Sequence, residues 1–122
     1  MGTAAAAPLK KQAKALLPLV NAERETARLS PLEWDSDLAE AAEIRVQEIA
    51  ADYKNNHNRP GGARYYTVST KVWAENIGRR MDRPDAIMAA WMQSPSHRKN
   101  IENKKYTTFG AACLDGKDGV RY

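Results

Sequence analysis

A Ser-Pro pair at positions 94 and 95 constrains this chain more than any other dipeptide in it. Proline has no amide proton and its ring clashes with the preceding turn, so a helix cannot run through it. It does suit the first position of a new helix, and serine is a favoured N-cap. Trp91 to Ile101 therefore reads as a helix end, a restart and a second short helix carrying His97 and Ile101. The preceding helix starts between Asp82 and Pro84 and turns Ile87, Ala90 and Trp91 inward. Ser94 and His97 lie three apart. An N-cap hydroxyl turns toward the backbone, so a Ser-His nucleophile pair is not expected here.

The same reasoning orders the rest of the chain. Pro8 to about Arg28 reads as a first helix with Leu16, Leu17, Val20 and Ala27 on a partly apolar face. Asn21 to Glu25 is strongly polar, and Pro18 either starts this helix or kinks it. Asp35 or Ser36 can cap a second helix, with Glu40 near the capping-box position. Leu38, Ala41, Ala42, Val46 and Ile49 recur on one face of it, out to about Tyr53. A polar loop follows from Lys54 to Arg64, with Pro60-Gly61-Gly62 inside it. Tyr65 to Val68 and Val72 to Ile77 read as short strands, and Phe109 to Leu114 as an apolar one. Asp115 to Gly119 is a turn, and Val120-Arg121-Tyr122 begins a return strand. Three residues are fewer than the usual ~5–6 of a strand, so this arm reads as truncated. Its partly unpaired edge is expected to invite self-association.

With 122 residues the chain is one domain. No window carries the ~18 consecutive apolar residues that a membrane span requires. The net charge of +4 is spread rather than blocked, which fits a solvated surface and not a nucleic-acid partner. Cys113 is the single cysteine, so no intrachain disulfide can form. In an apolar strand it reads as a core thiol. Residues 1–13 read as an N-terminal extension, with neither the basic nor the apolar region of a signal peptide.

Three groups suggest chemistry. The chain has two histidines, His57 in an Asn-rich loop and His97 on the proline-started turn. Glu75 sits between Trp73 and Ile77 in an otherwise apolar run. A buried carboxylate needs a donor or a cation, and a structural bond to backbone or arginine competes with a histidine for that role. Two imidazoles and a carboxylate suit zinc or another divalent metal with an open position. No His-Glu-x-x-His, Cys-x-x-Cys, Gly-x-Ser-x-Gly or phosphate loop is present.

In order along the chain, the motifs are Leu19-Val20-Asn21-Ala22-Glu23-Arg24, Leu32-Glu33-Trp34-Asp35-Ser36-Asp37-Leu38-Ala39 and His57-Asn58-Arg59-Pro60-Gly61-Gly62. Ala74-Glu75-Asn76-Ile77, Ala90-Trp91-Met92-Gln93-Ser94-Pro95-Ser96-His97-Arg98 and Phe109-Gly110-Ala111-Ala112 follow. Residues 14–122 thus resemble a bacterial CAP-superfamily domain, the group of cysteine-rich secretory proteins, antigen 5 and pathogenesis-related 1. The resemblance implies an α+β fold, a three-layer α-β-α sandwich with a central antiparallel sheet. It also implies a cleft where two histidines and two acidic residues converge. His57, Glu75 and His97 match three of the four as metal ligands. Ser94 occupies the place of the second glutamate, and Ser94 and Asn76 are expected to line the cleft. The family usually continues past Tyr122 with residues of Trp-Val-Gln type.

The function implied is a secreted or envelope-associated binding module with a metal-capable cleft and no turnover. Its partner would be a protein, cell-envelope or lipid ligand. A metal-dependent hydrolase using the same cleft is the alternative. Lipid or sterol binding is a third reading, which would need an apolar groove; the sequence outside the core is not apolar enough to argue for one.

Overall fold

The computed structural model describes residues 8–122, so part of the expected N-terminal extension lies outside the described residues. The elements run α1 (Lys10–Lys14), α2 (Leu16–Thr26), β1 (Glu33–Trp34), α3 (Ser36–Ala51), α4 (Pro84–Gln93), α5 (Pro95–Ile101) and β2 (Thr108–Phe109). Two single 3-10 turns, Pro60–Gly62 and Tyr65–Val68, lie between α3 and α4. The protein is α+β and rich in helix.

The expected first helix is divided at Ala15 into α1 and α2. Pro18 then falls at the third position of α2. Amides of a first turn have no intrahelical acceptor, so the proline forfeits no helix bond there. Asp35, not Ser36, caps α3: its Oδ1 accepts from the amides of Asp37 at 2.8 Å and Leu38 at 3.1 Å. With Asp35 as cap, the third helical position is Leu38, so Glu40 completes no capping box. Ser94 joins α4 to α5, with Pro95 at the start of the latter, as the Ser-Pro pair requires.

Leu16 and Val20 of α2 pack on Leu32, on Met88 and Trp91 of α4, and on Ile101 of α5. A second cluster joins Val46 of α3 to Leu114 and Tyr122. Trp91 is anchored further by its indole N–H, which donates to the Ile77 carbonyl at 3.0 Å. Arg24 belongs to the interior despite its polar neighbours and is only 1% exposed. Its guanidinium donates to the carbonyls of Ser30, Ile101, Asn103 and Tyr106 at 2.7 to 3.3 Å. One side chain thereby ties the end of α2 to the end of α5 and satisfies a terminal carbonyl that no helix bond reaches.

The strands depart most from expectation. β1 and β2 pair in parallel, Glu33 opposite Thr108 and Trp34 opposite Phe109. Among the described residues antiparallel pairing is confined to the C-terminal arm, where Leu114 and Tyr122 exchange both backbone bonds and Asp115 bridges Arg121. Phe109 to Leu114 is a strand only at its start. Tyr65–Val68 is a 3-10 turn because Thr67 bonds back to the Arg64 carbonyl through both its amide and its hydroxyl. Val72 to Ile77 is irregular for a related reason. Its alternate carbonyls are taken by side chains: Trp73 by the Tyr65 hydroxyl, Glu75 by Asn100 and Ile77 by Trp91. Trp73 stands 69% exposed, so it does not share a buried face with Ile77.

Gly110 is needed where β2 meets α3. A Cβ there would collide with the backbone of Leu38 and Ala39. The close approach seats the end of the strand against the first turn of the helix.

Candidate functional site

The site is built on α3. Arg45 falls within its apolar stripe, between Ala41 and Ile49 at helical spacing, and is 4% exposed. A guanidinium in that position must be paired. Its Nε donates to Glu75 Oε1 at 2.7 Å and its Nη2 to Oε2 at 3.0 Å, a two-bond fork. Its Nη1 donates to Glu48 Oε1 at 2.9 Å, one turn further along α3. Arg59, from the His57 loop, closes on Glu48 from the other side at 2.8 to 3.1 Å. Two arginines and two glutamates thus form one continuous chain of ion pairs.

His57 joins this chain. Its Nδ1 lies 2.8 Å from Glu75 Oε2, and its carbonyl accepts from Arg45 Nη2 at 3.3 Å. The Tyr65 ring packs edge-on against the imidazole at 5.7 Å. Both oxygens of Glu75 are therefore committed, to Arg45 and to His57.

His97 is held separately but is tied to the same segment. Its carbonyl accepts from Asn76 Nδ2 at 3.1 Å, and Asn100 Nδ2 donates to Asn76 Oδ1 at 2.8 Å. Residues 75 and 76 thus reach the two histidines in succession, the first through a side chain and the second through the backbone of α5. His97 Nδ1 lies 2.7 Å from Ser94 Oγ. This overturns the expectation that the Ser94 hydroxyl turns to the backbone: it makes no capping bond. The imidazole is its partner instead. Burial holds the His97 imidazole below its ordinary 6.5, and the charge of His57 adds to the effect.

Glu48 shows the opposite balance. Burial pushes its carboxyl up, but hydrogen bonds and charge from Arg59 and Arg45 outweigh it and hold the group below its ordinary 4.5. The Cys113 thiol is buried and pushed up by that burial, as a core thiol should be.

Among the described residues, no three His, Cys, Asp or Glu side chains group so as to enclose an ion. The imidazole bonds to described residues run through Nδ1 in both histidines. Beside the segment 72–77 lies a cavity of about 600 Å³. Leu38, Ala42, Val46, Val72, Ile77 and Phe109 contribute to its wall, as do Glu75 and Asn76. An apolar hollow of this size was not expected from the sequence. His57, Ser94 and His97 lie outside its wall.

Sequence reasoning missed Arg45, Glu48, Arg59 and Asn100. Arg45 had a readable signal, a cation at an inward position of an apolar stripe with a glutamate three residues on. Arg59 and Asn100 had none, since each acts across the fold.

The model of the cysteine-rich secretory protein family, abbreviated CAP, matches residues 17–122. The chain belongs to that family. This CAP domain is 30% identical over 119 residues to the uncharacterized protein YkwD of Bacillus subtilis. The match covers 93% of this chain and 46% of that protein, so the chain spans about half the length of that relative. Among solved structures, an outer surface protein of Borrelia burgdorferi superposes with a TM-score of 0.76 at 18% identity. That match covers 95% of this CAP domain and 92% of the other chain. An extracellular SCP-domain protein of Bacillus anthracis gives a TM-score of 0.67 at 22% identity, over 91% of this chain and 38% of that one. At such identities the likeness is one of fold. The family name does not describe the cysteine content of this CAP domain, which has Cys113 alone.

Proposed function

We propose that this CAP domain is an extracellular or envelope-exposed binding module in which His57 and His97 hold a divalent cation, zinc being the best match. The observation that carries this reading is the 2.8 Å contact between His57 Nδ1 and Glu75 Oε2. A histidine that ligates a metal commonly donates its other ring N–H to a carboxylate, which fixes the ring and its tautomer. Glu75 then stands behind His57 as its orienting partner rather than beside it as a ligand. The donor set is two imidazole nitrogens, which suits zinc, with remaining positions left to water or to the bound partner. A bound zinc would supply Lewis acidity and charge. Arg45 keeps Glu75 in place, and Ser94, Asn76 and Asn100 keep His97 in place. The three-layer α-β-α arrangement with an antiparallel centre belongs to the same reading. It is supported by the likeness in fold to the two solved structures, one of which contains an SCP domain. Those structures are described as outer surface and extracellular proteins, which supports the location proposed. No helix among the described residues is long and apolar enough to cross a membrane.

Calorimetric titration with zinc tests the reading. The wild type should bind one ion per chain, and a His57→Ala/His97→Ala double variant should bind none. Equal binding by the two would contradict it.

A second reading rests on the cavity. A hollow of about 600 Å³ with a mainly apolar wall has room for an acyl chain or a sterol. Co-purified lipid recovered by solvent extraction, or saturable uptake of a fluorescent fatty acid, would support it. An Ala42→Trp variant that takes up the same amount would speak against it.

A further inference from the structure

The two histidines have different hydrogen-bond settings. His57 Nδ1 faces a carboxylate oxygen, and that carboxylate is gripped by Arg45. A carboxylate in such a pair only accepts. Nδ1 must therefore carry the proton, and the lone pair of the neutral ring sits on Nε2. His97 Nδ1 faces a hydroxyl at 2.7 Å. A hydroxyl can give a proton or accept one. Ser94 is at the cap position of α5 yet makes no bond to the backbone there. Its other side-chain neighbour, Ser96 Oγ, is at 3.5 Å, the outer limit of a hydrogen bond. The imidazole is thus the strong partner available to the Ser94 proton.

We infer that Ser94 leaves the tautomer of His97 open, and that in the metal-free protein its hydroxyl donates to Nδ1 and the ring proton rests on Nε2. The pair then offers unlike groups: a bare Nε2 on His57 and an Nε2–H on His97, one acceptor and one donor. To take an ion, His97 must change tautomer. The proton leaves Nε2 to water, a proton from water arrives at Nδ1 and stays there, and the Ser94 hydroxyl rotates so that its oxygen accepts the hydrogen bond from Nδ1–H. The ring is neutral before and after, so no net proton is gained or lost. His57 needs no such change, because Glu75 holds it ready. Ser94 acts as a positioning residue that makes one ligand of the pair adaptable where the other is fixed. An acceptor-only side chain at position 94 would lock His97 as Glu75 locks His57.

This extends the cation-binding reading, but its test requires no metal. Nitrogen-15 NMR of the imidazole side chains, in metal-free protein at pH 8, reports each tautomer directly. The expected result is Nδ1–H for His57 and Nε2–H for His97. Ser94→Asp should move His97 to Nδ1–H, while Ser94→Thr, which keeps the hydroxyl, should leave the wild-type pattern. Ser94→Ala, which breaks no capping bond, should shift the His97 Nδ1 resonance downfield as its lone pair loses a donor. His97 already in the Nδ1–H form in the wild type would overturn the inference. So would an Nδ1 resonance that ignores Ser94→Ala, even if Ser94→Asp does not fold. If zinc moves neither imidazole spectrum, the cation reading falls, while the assignment of Ser94 is decided by the metal-free spectra alone.

Discussion

The guanidinium of Arg45 grips both oxygens of Glu75, at 2.7 and 3.0 Å, across 30 residues of sequence. The pair fastens the irregular segment 72–77 to α3 and leaves the carboxylate one face for His57. Both side chains are largely removed from water, with 5% and 13% of their surfaces exposed. Removing one partner of such a pair strands the other charge. Arg45→Met should therefore cost about 3–5 kcal/mol in urea unfolding. A loss below about 1 kcal/mol, the range of exposed pairs, would show that the pair is solvated.

Acid should weaken the same network through Glu48. Its folded carboxyl lies below its ordinary 4.5, with burial opposing and the Arg59 and Arg45 bonds prevailing. A depressed carboxyl contributes stability that is present above the unfolded value and lost as pH falls through the folded one. Melting temperature should therefore fall as pH drops below about 4.5, and Glu48→Gln should make that fall shallower. Identical melting profiles for the two proteins across that acid range would rule out this contribution.

Trp91 tests the core of α2, α4 and α5. It is 8% exposed and its indole N–H is bonded to Ile77. Trp91→Ala should cost about 3–5 kcal/mol. Chemical denaturation that places the loss below about 1 kcal/mol would mean that the cluster does not depend on this side chain.

Arg24 should be as intolerant, for a polar reason. Arg24→Met fills much of the same space but gives nothing to four carbonyls. Leaving buried acceptors without donors should cost at least about 1–3 kcal/mol. Amide exchange should quicken first at Ile101 to Tyr106, the stretch the guanidinium ties down. Unchanged protection there would refute the assignment.

Helical parts of this fold are legible because their signals are local. The Ser94-Pro95 restart, the Asp35 cap and the stripe from Leu38 to Ile49 each depend on neighbours within two turns. The strands are not legible in that way. Apolar alternation at Val72 to Ile77 looks like a strand, but the carbonyls of Trp73, Glu75 and Ile77 bond to side chains 8, 25 and 14 residues away. Arg24 looks like surface because its neighbours are polar, and only the distant ends it joins make it core. In the site, the His57–Glu75 contact was among the readings open from the residues, as was pairing of Glu75 with an arginine, and both occur together. That Glu75 is already fully engaged was not legible, since Arg45 reaches it from another element. Nor was the Ser94 hydroxyl bond to His97, where a general capping preference gave way to a particular neighbour.

Zinc-edge anomalous diffraction from zinc-soaked crystals would locate the ion against the two imidazoles. One strong peak is expected at about 2.0–2.1 Å from Nε2 of both His57 and His97. Glu75 should remain on His57 Nδ1 and on Arg45, outside bonding distance of the ion. A peak bound by the Glu75 oxygens, or one that touches neither imidazole, would contradict the proposed site.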